Sequence, residues 1–194
     1  MKTKTISIGL AGFGTVGGGV YEILRKHRAL LARRVGAPLQ IKKIAVRSKG
    51  KRRPGAASSA LFTENLQDIL QDPEIPIVVE VMGGTREAKA FAFAAIRAGK
   101  HLVTANKALI ALHGKELFLA AKQAQVDVCF EAAVAGGIPV LRALREGFVA
   151  NEIRSLFGIV NGTCNFILSE MSQAGADFAG TLQRAQQLGY AEAD

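Results

Sequence analysis

The sequence has no tryptophan, only two cysteines and three histidines, and its aromatic residues make up 6% of the 194 positions. Cys129 and Cys164 stand in no metal-ligand spacing and indicate no disulfide framework, which argues against a small zinc- or disulfide-stabilised domain. No apolar run reaches the ~18 residues that a membrane span needs, and the first residues do not resemble a signal peptide. We therefore expect a cytoplasmic protein with an aliphatic core and no membrane partner.

Acidic residues are also scarce. The sequence has 16 of them and 25 lysines and arginines, which gives a formal net charge of +9. Such a balance favours phosphates and other polyanions as partners. The densest basic cluster runs from Arg47 to Arg53, and composition alone makes a solvated loop the simplest interpretation. A nucleic-acid interface is the alternative, but this cluster contains no aromatic residue on which a base could stack. We therefore expect no nucleic-acid partner.

Short apolar runs alternate with helical patterns over the first 130 residues. This alternation predicts an α/β fold, a Rossmann-type doubly wound parallel sheet. After Glu131 the sequence becomes rich in small residues, and we place a domain boundary near residue 130. Residues 131–194 then form the beginning of an α+β substrate and dimerisation domain, with a strand expected at 153–160. The strands predicted in the first domain are 5–10, 39–46, 77–82, 101–104 and 126–130.

A glycine-rich loop follows the first predicted strand and precedes an amphipathic helix, and it reads Gly12-Phe13-Gly14-Thr15-Val16-Gly17. In this context the G-x-G-x-x-G pattern predicts a dinucleotide site. Gly12 allows a tight turn, Gly14 lets a pyrophosphate approach the backbone, and Gly17 lets the helix pack closely on the strand. The helix N-terminus offers free N–H groups to the phosphates. The alternative, a glycine-rich turn without a ligand, is disfavoured by the flanking elements.

The end of the second predicted strand lacks the acidic residue that binds the ribose 2′-OH in NAD-binding versions of this fold. Arg47 stands there instead, and no acid follows until Glu64. A carboxylate would repel a 2′-phosphate, whereas a guanidinium binds one with paired hydrogen bonds. The sequence therefore predicts NADP as the cofactor, with NAD as the alternative.

Four later segments of the sequence contain further candidate site residues. Because ligands bind beyond the carboxyl ends of parallel strands, Lys107 at the end of the first segment is placed to meet a cofactor or substrate. A solvated loop lysine is the alternative when this segment is taken alone. The segments are 101–107 (HLVTANK), 131–139 (EAAVAGGIP), 158–165 (GIVNGTCN) and 188–194 (LGYAEAD).

Together with the glycine loop, these segments resemble the homoserine dehydrogenase family over essentially the whole chain. The resemblance implies an oxidoreductase that interconverts L-homoserine and L-aspartate 4-semialdehyde with NAD(P)(H), in the biosynthesis of threonine, methionine and isoleucine. It also implies that Phe13, Thr15 and Val16 contact the cofactor. Lys107 matches a lysine near the nicotinamide and the substrate, where we expect an accessory role in catalysis.

The resemblance further implies a site for a monovalent cation, usually sodium. Its members are Glu131 as a side-chain ligand and Val134, Gly136 and Ile138 through their backbone carbonyls, which are oxygen ligands that a hard cation prefers. Without the resemblance, a structural turn at a domain hinge is the simpler interpretation of this segment.

Near the end of the chain, Gly189 and Glu192 match positions close to cofactor and substrate. The carboxylate of Glu192 suits the ammonium group of the substrate. The family's general acid/base lysine and a substrate-binding aspartate lie beyond the position that matches Asp194. We therefore expect a fragment that binds NADP(H) better than it catalyses, from a parent enzyme that is a homodimer or larger. Two alternatives are another NAD(P)-dependent oxidoreductase of this fold and a cofactor-binding fragment without turnover.

Overall fold

The computed structural model describes residues 4–49, 58–159 and 161–191. The chain divides into two compact units, Met1–Gly147 and Phe148–Asp194. The domain boundary near residue 130 stays a prediction beside this division. Within the described residues, no helix combines the length and the apolar character needed to cross a membrane.

Among the described residues of the first unit, six parallel strands form one sheet in the spatial order β3-β2-β1-β4-β5-β6. The chain moves outwards from β1 to β3 and then crosses to β4 on the other side of β1. This arrangement confirms the predicted doubly wound sheet. The strands are β1 (Ile6–Ala11), β2 (Leu39–Ala45), β3 (Phe62–Thr63), β4 (Ile77–Glu80), β5 (His101–Thr104) and β6 (Val128–Cys129).

Helices connect the strands, and they differ from the sequence pattern in two places. The apolar stripe that ends at Val35 predicts one helix, but the structure has two, which meet at His27. The pair His113-Gly114 predicts a break in the helix that follows β5. This prediction is wrong, because Gly114 is buried inside a continuous helix beside the ring of Phe118. The α-helices described in this unit are α1 (Thr15–Lys26), α2 (Arg28–Val35), α3 (Gln67–Leu70), α4 (Arg86–Arg97), α5 (Lys107–Ala124) and α6 (Val140–Arg142).

The described part of the first unit contains two hydrophobic core clusters. Neighbouring strand residues such as Val78 and Val79 belong to different clusters, as expected when successive side chains point to opposite faces of a sheet. Phe91 of α4 and Leu117 of α5 join the first cluster, and both are fully or almost fully buried. Tyr21 of α1 packs on the second. The helices thus cover the two sheet faces and leave the strand ends for loops.

In the second unit the structure shows two helices, α7 (Gly162–Ala174) and α8 (Phe178–Gln187). The strand predicted at 153–160 is wrong for its described part, 153–159, which has no regular structure. A strand needs a partner for its backbone groups, and the described residues of this unit supply none. Phe157 is accordingly 92% exposed.

A buried lysine stabilises the amino edge of the sheet. Lys100 is 4% exposed, and its ammonium group donates hydrogen bonds of 2.7 Å to the carbonyls of Asp72 and Ile75. These bonds connect the residue before β5 to the segment before β4. Burial lowers the pKa of Lys100. In the same segment, the hydrogen bond from Lys42 lowers the pKa of Asp72.

Replacing Lys100 by Met is expected to lower the free energy of unfolding by about 1–3 kcal/mol, because two inward-facing carbonyls lose their charged donor. Urea unfolding followed by circular dichroism measures the change. Lys122→Met, at an exposed position near the end of α5, removes the same charge and is expected to leave stability within about 0.5 kcal/mol of the original. Equal effects of the two substitutions would show that the buried contacts contribute little.

Candidate functional site

The candidate site lies at the carboxyl ends of β1, β2 and β4, where the strand order reverses. In open α/β sheets this is the place where ligands bind. The turn after β1 lies against the chain after β4. A Cβ on Gly12 would stand only 2.4 Å from the carbonyl oxygen of Val81, and Gly12 has a φ of +103°. Only glycine can occupy this position without displacing the backbone.

The other two glycines of the loop differ in what surrounds them. A Cβ on Gly17 would stand 2.3 Å from the carbonyl oxygen of Gly12, so the first turn of α1 packs directly on the loop. A Cβ on Gly14 would meet no heavy atom within 4 Å. Gly12 and Gly17 are therefore required by packing, whereas Gly14 borders open space that a phosphate group could enter.

The N-terminus of α1 is open to an anion. Gly14 is its N-cap residue and provides no side-chain cap, and the first turn contains no acidic residue. The first helical hydrogen bond runs from the N–H of Gly18 to the carbonyl of Gly14. The N–H groups of Thr15, Val16 and Gly17 precede it and have no carbonyl partner within the helix. Together with the helix dipole, they favour a negatively charged group.

Phe13 takes part in an aromatic cluster. Its ring packs edge-to-face on Tyr21 and Phe62, with centroid distances of 5.8 and 5.2 Å. Phe13 can therefore contact a ligand at the helix N-terminus mainly through its backbone. Phe62 belongs to β3, so this short strand supports the glycine loop from the side.

Arg47 follows β2 and faces the first turn of α4, which follows β4. Its guanidinium lies 3.6 Å from the carboxylate of Glu87, and the two side chains are 84% and 65% exposed. Because β2 and β4 flank β1, this ion pair spans the carboxyl end of β1. Nearby, the N–H of Lys49 donates to the carboxylate of Glu64. The basic residues 51–53 lie outside the described residues.

Two glycines after β4 form a second turn at the site, which the sequence motifs do not single out. Gly83 and Gly84 have φ values of +75° and +69°, and a Cβ on either would meet no heavy atom within 4 Å. In the sequence, a pair of glycines after a predicted buried strand is the feature that could have indicated this turn. These residues line the reversal point together with the loop at Gly12.

Lys107 is the first residue of α5, separated from the end of β5 by two residues, and its side chain is exposed. Its position is set by Asn106, whose side chain accepts a hydrogen bond from the N–H of Leu109 and donates one of 2.6 Å to the carbonyl of Gly84. Asn106 therefore joins the start of α5 to the turn after β4.

Glu80 is another residue that the motifs do not reveal. It ends β4 with 0% exposure. One carboxylate oxygen accepts a hydrogen bond from the N–H of Met82 at 2.9 Å, and the other accepts one from the hydroxyl of Thr104 at 2.7 Å. In the sequence, an acidic residue inside an apolar run is the feature that could have indicated this buried carboxylate.

Glu131 stands after β6 at the same edge of the sheet. Its two carboxylate oxygens accept hydrogen bonds of 3.0 Å from the N–H groups of Leu141 and Arg142, at the start of α6. The described residues contain no group of three or more His, Cys, Asp or Glu side chains that could hold a metal ion. A cation here would therefore need backbone carbonyls beside Glu131.

The loop between Glu131 and α6 carries the other predicted cation ligands. Gly136 has a φ of +60°, and Ala135 has an unusual φ of +55° for a residue with a side chain. The N–H of Ile138 closes this turn on the carbonyl of Ala135, and the carbonyl of Ile138 accepts from Val140. Val134 has an extended backbone.

In the second unit, Gly189 follows α8, which ends at Gln187. It has a φ of +75°, and its N–H donates to the carbonyl of Gln186. The next residue, Tyr190, packs on Phe166 at a centroid distance of 5.1 Å. Two further positions of the sequence prediction, Glu192 and Asp194, lie outside the described residues.

Comparison with known proteins agrees with this geometry. The family model described as the NAD-binding domain of homoserine dehydrogenase matches residues 12–131, and the model described as homoserine dehydrogenase matches residues 139–194. A homoserine dehydrogenase from Pseudomonas aeruginosa is 49% identical over 191 residues, which are 98% of this chain and 44% of that protein.

Solved structures give the same result. A homoserine dehydrogenase from Thiobacillus denitrificans is 51% identical with a TM-score of 0.87, over 99% of this chain and 44% of that one. A hyperthermophilic archaeal homoserine dehydrogenase in complex with NADPH is 26% identical with a TM-score of 0.79, over 98% of this chain and 63% of that one. The chain thus spans less than half the length of the two bacterial relatives. It belongs to the homoserine dehydrogenase family.

Proposed function

We propose that the chain is the NADP-binding part, with the beginning of the substrate part, of an enzyme that interconverts L-homoserine and L-aspartate 4-semialdehyde. The observation that carries the proposal is the open N-terminus of α1 at the reversal point of the sheet, in a chain of this family. The space beside Gly14 and the N–H groups of Thr15 to Gly17 fit a pyrophosphate. The proposed reaction belongs to threonine, methionine and isoleucine biosynthesis in the cytoplasm.

The preference for NADP over NAD rests on Arg47. Its contact with Glu87 is long and exposed, and such surface pairs contribute little free energy. A ribose 2′-phosphate carries more charge and offers paired acceptors, so it would replace Glu87 as the partner of the guanidinium. The NADPH bound to the archaeal relative supports this preference.

Titration with NADPH and NADH, followed by nicotinamide fluorescence, tests the proposal. The chain is expected to bind NADPH more tightly than NADH. Arg47→Ala is expected to weaken NADPH about tenfold, since a charged hydrogen-bonding partner of the 2′-phosphate is lost, and to leave NADH unchanged.

Arg34→Ala is the matched control, because it removes the same charge from an exposed position on α2. Equal affinities for the two nucleotides would contradict the preference for NADP and keep the dinucleotide site. A folded chain that binds neither nucleotide would contradict the proposed function.

In the reaction, the bound nicotinamide would supply hydride transfer to or from the substrate carbon. The N-terminus of α1 would hold the pyrophosphate, and the Gly83-Gly84 turn would border the nicotinamide half. The exposed ammonium group of Lys107, at the carboxyl end of β5, would stabilise negative charge on the substrate oxygen. A proton acceptor is also needed when the alcohol is oxidised. We place that acceptor, a lysine, beyond Asp194.

The substrate is tested with the complete gene product that contains this chain. L-Homoserine is expected to be oxidised with NADP in preference to other hydroxy acids, and Lys107→Met is expected to lower kcat/KM by roughly ten- to hundredfold. Lys115→Met, at an exposed position on the same helix, is the control. The 194-residue chain alone is expected to bind NADPH without turnover. Oxidation of another hydroxy acid in place of homoserine would identify a different oxidoreductase of this fold.

We also propose a monovalent cation, sodium, at the loop after β6. The ligands would be the carboxylate of Glu131 and the carbonyls of Val134, Gly136 and Ile138. The two N–H groups that bind Glu131 leave further lone pairs on its oxygens. An all-oxygen ligand set of this kind is the one that hard cations prefer.

Thermal unfolding in sodium chloride and in N-methylglucamine chloride, at equal ionic strength, tests the cation site. Bound sodium is expected to stabilise the chain by about 1.4 kcal/mol at ten times its Kd. Glu131→Gln is expected to abolish this difference, whereas Glu146→Gln, on an exposed neighbouring glutamate, is expected to keep it. If Glu131 only caps α6, its substitution lowers Tm equally in both salts.

The remaining site residues are proposed on the family relationship. Glu192 would bind the substrate ammonium, and Gly189 would lie near the cofactor. We assign residues 1–130 to the NAD(P)-binding domain and residues 131–194 to the beginning of the catalytic and dimerisation domain. The parent enzyme is proposed to be a homodimer or a larger assembly.

A further inference from the structure

Glu80 is a fully buried carboxylate at the end of an otherwise apolar strand. Burying such a group is unfavourable unless it is hydrogen-bonded, and both oxygens of Glu80 are, to Met82 and Thr104. Replacing a buried charged group by an apolar side chain of similar size is often neutral or stabilising. Stability alone is therefore a weak explanation for a glutamate at this position.

A chain of hydrogen bonds continues from Glu80 to the candidate site. The hydroxyl of Thr104 donates to Glu80 and accepts from the N–H of Asn106 at 3.0 Å. Asn106 then binds the carbonyl of Gly84 and caps the first turn of α5. The chain thus ends at the Gly83-Gly84 turn on one side and at Lys107 on the other.

A second branch leads towards the glycine loop. Glu80 accepts from the N–H of Met82 and so holds the peptide between Val81 and Met82. The carbonyl of Val81 is the group against which Gly12 packs. The turn after β1 also has attachments that do not involve Glu80, since the N–H of Val81 donates to the carbonyl of Ala11 and the N–H of Gly12 donates to the carbonyl of Ala45.

We propose that Glu80 is a positioning residue for the nicotinamide half of the cofactor site. Through Thr104 and Asn106 it holds the Gly83-Gly84 turn and Lys107 in place, without touching the ligand. This role rests on the proposed function. It concerns one half of the nucleotide only, because the 2′-phosphate side lies at the end of β2, beside Arg47, and the other half lies towards β4 and β5.

The experiment compares two nucleotides, NADPH and 2′,5′-ADP, which lacks the nicotinamide half. Glu80→Gln replaces one of the two carboxylate oxygens by an NH2 group, so that either the N–H of Met82 or the hydroxyl of Thr104 loses its acceptor. We expect it to weaken NADPH about tenfold, because an unpaired buried donor lowers the fraction of molecules with the binding-competent loop. Binding of 2′,5′-ADP is expected to stay within about twofold of the original, since its proposed partners, Arg47 and the N-terminus of α1, are held by contacts that do not involve Glu80.

Two substitutions of Thr104 form a matched pair, because one removes the hydroxyl and the other keeps it. Thr104→Val removes the hydroxyl and is expected to reproduce the effect of Glu80→Gln, whereas Thr104→Ser keeps the hydroxyl and is expected to restore NADPH binding. The double variant Glu80→Gln with Thr104→Val should bind no more weakly than either single variant, because both interrupt one chain of bonds.

Ile75→Val controls for loss of stability. Ile75 is fully buried before the amino end of β4, away from the site, so its substitution should lower Tm and leave both affinities unchanged. All titrations are made at a temperature at which every variant is folded.

The outcomes separate the two hypotheses. Wild-type chain that binds neither nucleotide contradicts the proposed function, and the role of Glu80 with it. Wild-type binding that is unchanged in Glu80→Gln, or weakened equally for both nucleotides, contradicts only the positioning role. Weakened NADPH with intact 2′,5′-ADP binding supports it.

Discussion

One close backbone contact determines the geometry of the whole carboxyl edge. The turn after β1 rests on the carbonyl of Val81, with no room for a side chain at Gly12. The first turn of α1 then packs on the carbonyl of Gly12 through Gly17. The N-terminus of α1 therefore has a fixed distance from the chain after β4. An anion site that is already formed in this way loses little free energy to reorganisation when a phosphate binds.

The two sides of the crevice are held by different kinds of interaction. On the side of β2, Arg47 and Glu87 form an exposed pair that is screened by salt and easily exchanged for another partner. On the side of β5, Glu80 and Thr104 form a buried hydrogen bond, which is stronger and more directional in a medium of low dielectric constant. This difference would suit the proposed NADP, whose 2′-phosphate end would be recognised by charge and whose reactive end must be placed accurately.

Features encoded by neighbouring residues could be predicted from the sequence. The parallel sheet, the family and the strand His101–Thr104 all follow from local patterns and were confirmed. The two-residue strand β3 was not predicted, because so short a segment has no periodicity. The strand at 153–160 was predicted from apolar β-branched residues, but pairing depends on a partner that no local pattern specifies.

In the candidate site, too, only the features that depend on neighbouring residues could be predicted from the sequence. The glycine loop and Lys107 are visible in the sequence because their spacing is local. The contact of Phe13 with Phe62 and the bond of Glu80 to Thr104 join residues far apart in the chain. An acidic residue in an apolar run indicates a buried polar contact, but the sequence does not identify the partner.

Ala135 connects the proposed cation site to backbone strain. Among the residues that the structure describes, two that are not glycine have a positive φ. One of them, Gln125, is the C-cap residue of α5, where this conformation is common. Ala135 instead follows the extended Val134 and precedes Gly136, which is also left-handed. Such a conformation costs on the order of 1–3 kcal/mol and persists where the surroundings require it. A cation bound to the carbonyls of this turn would stabilise the backbone orientation that the strain opposes.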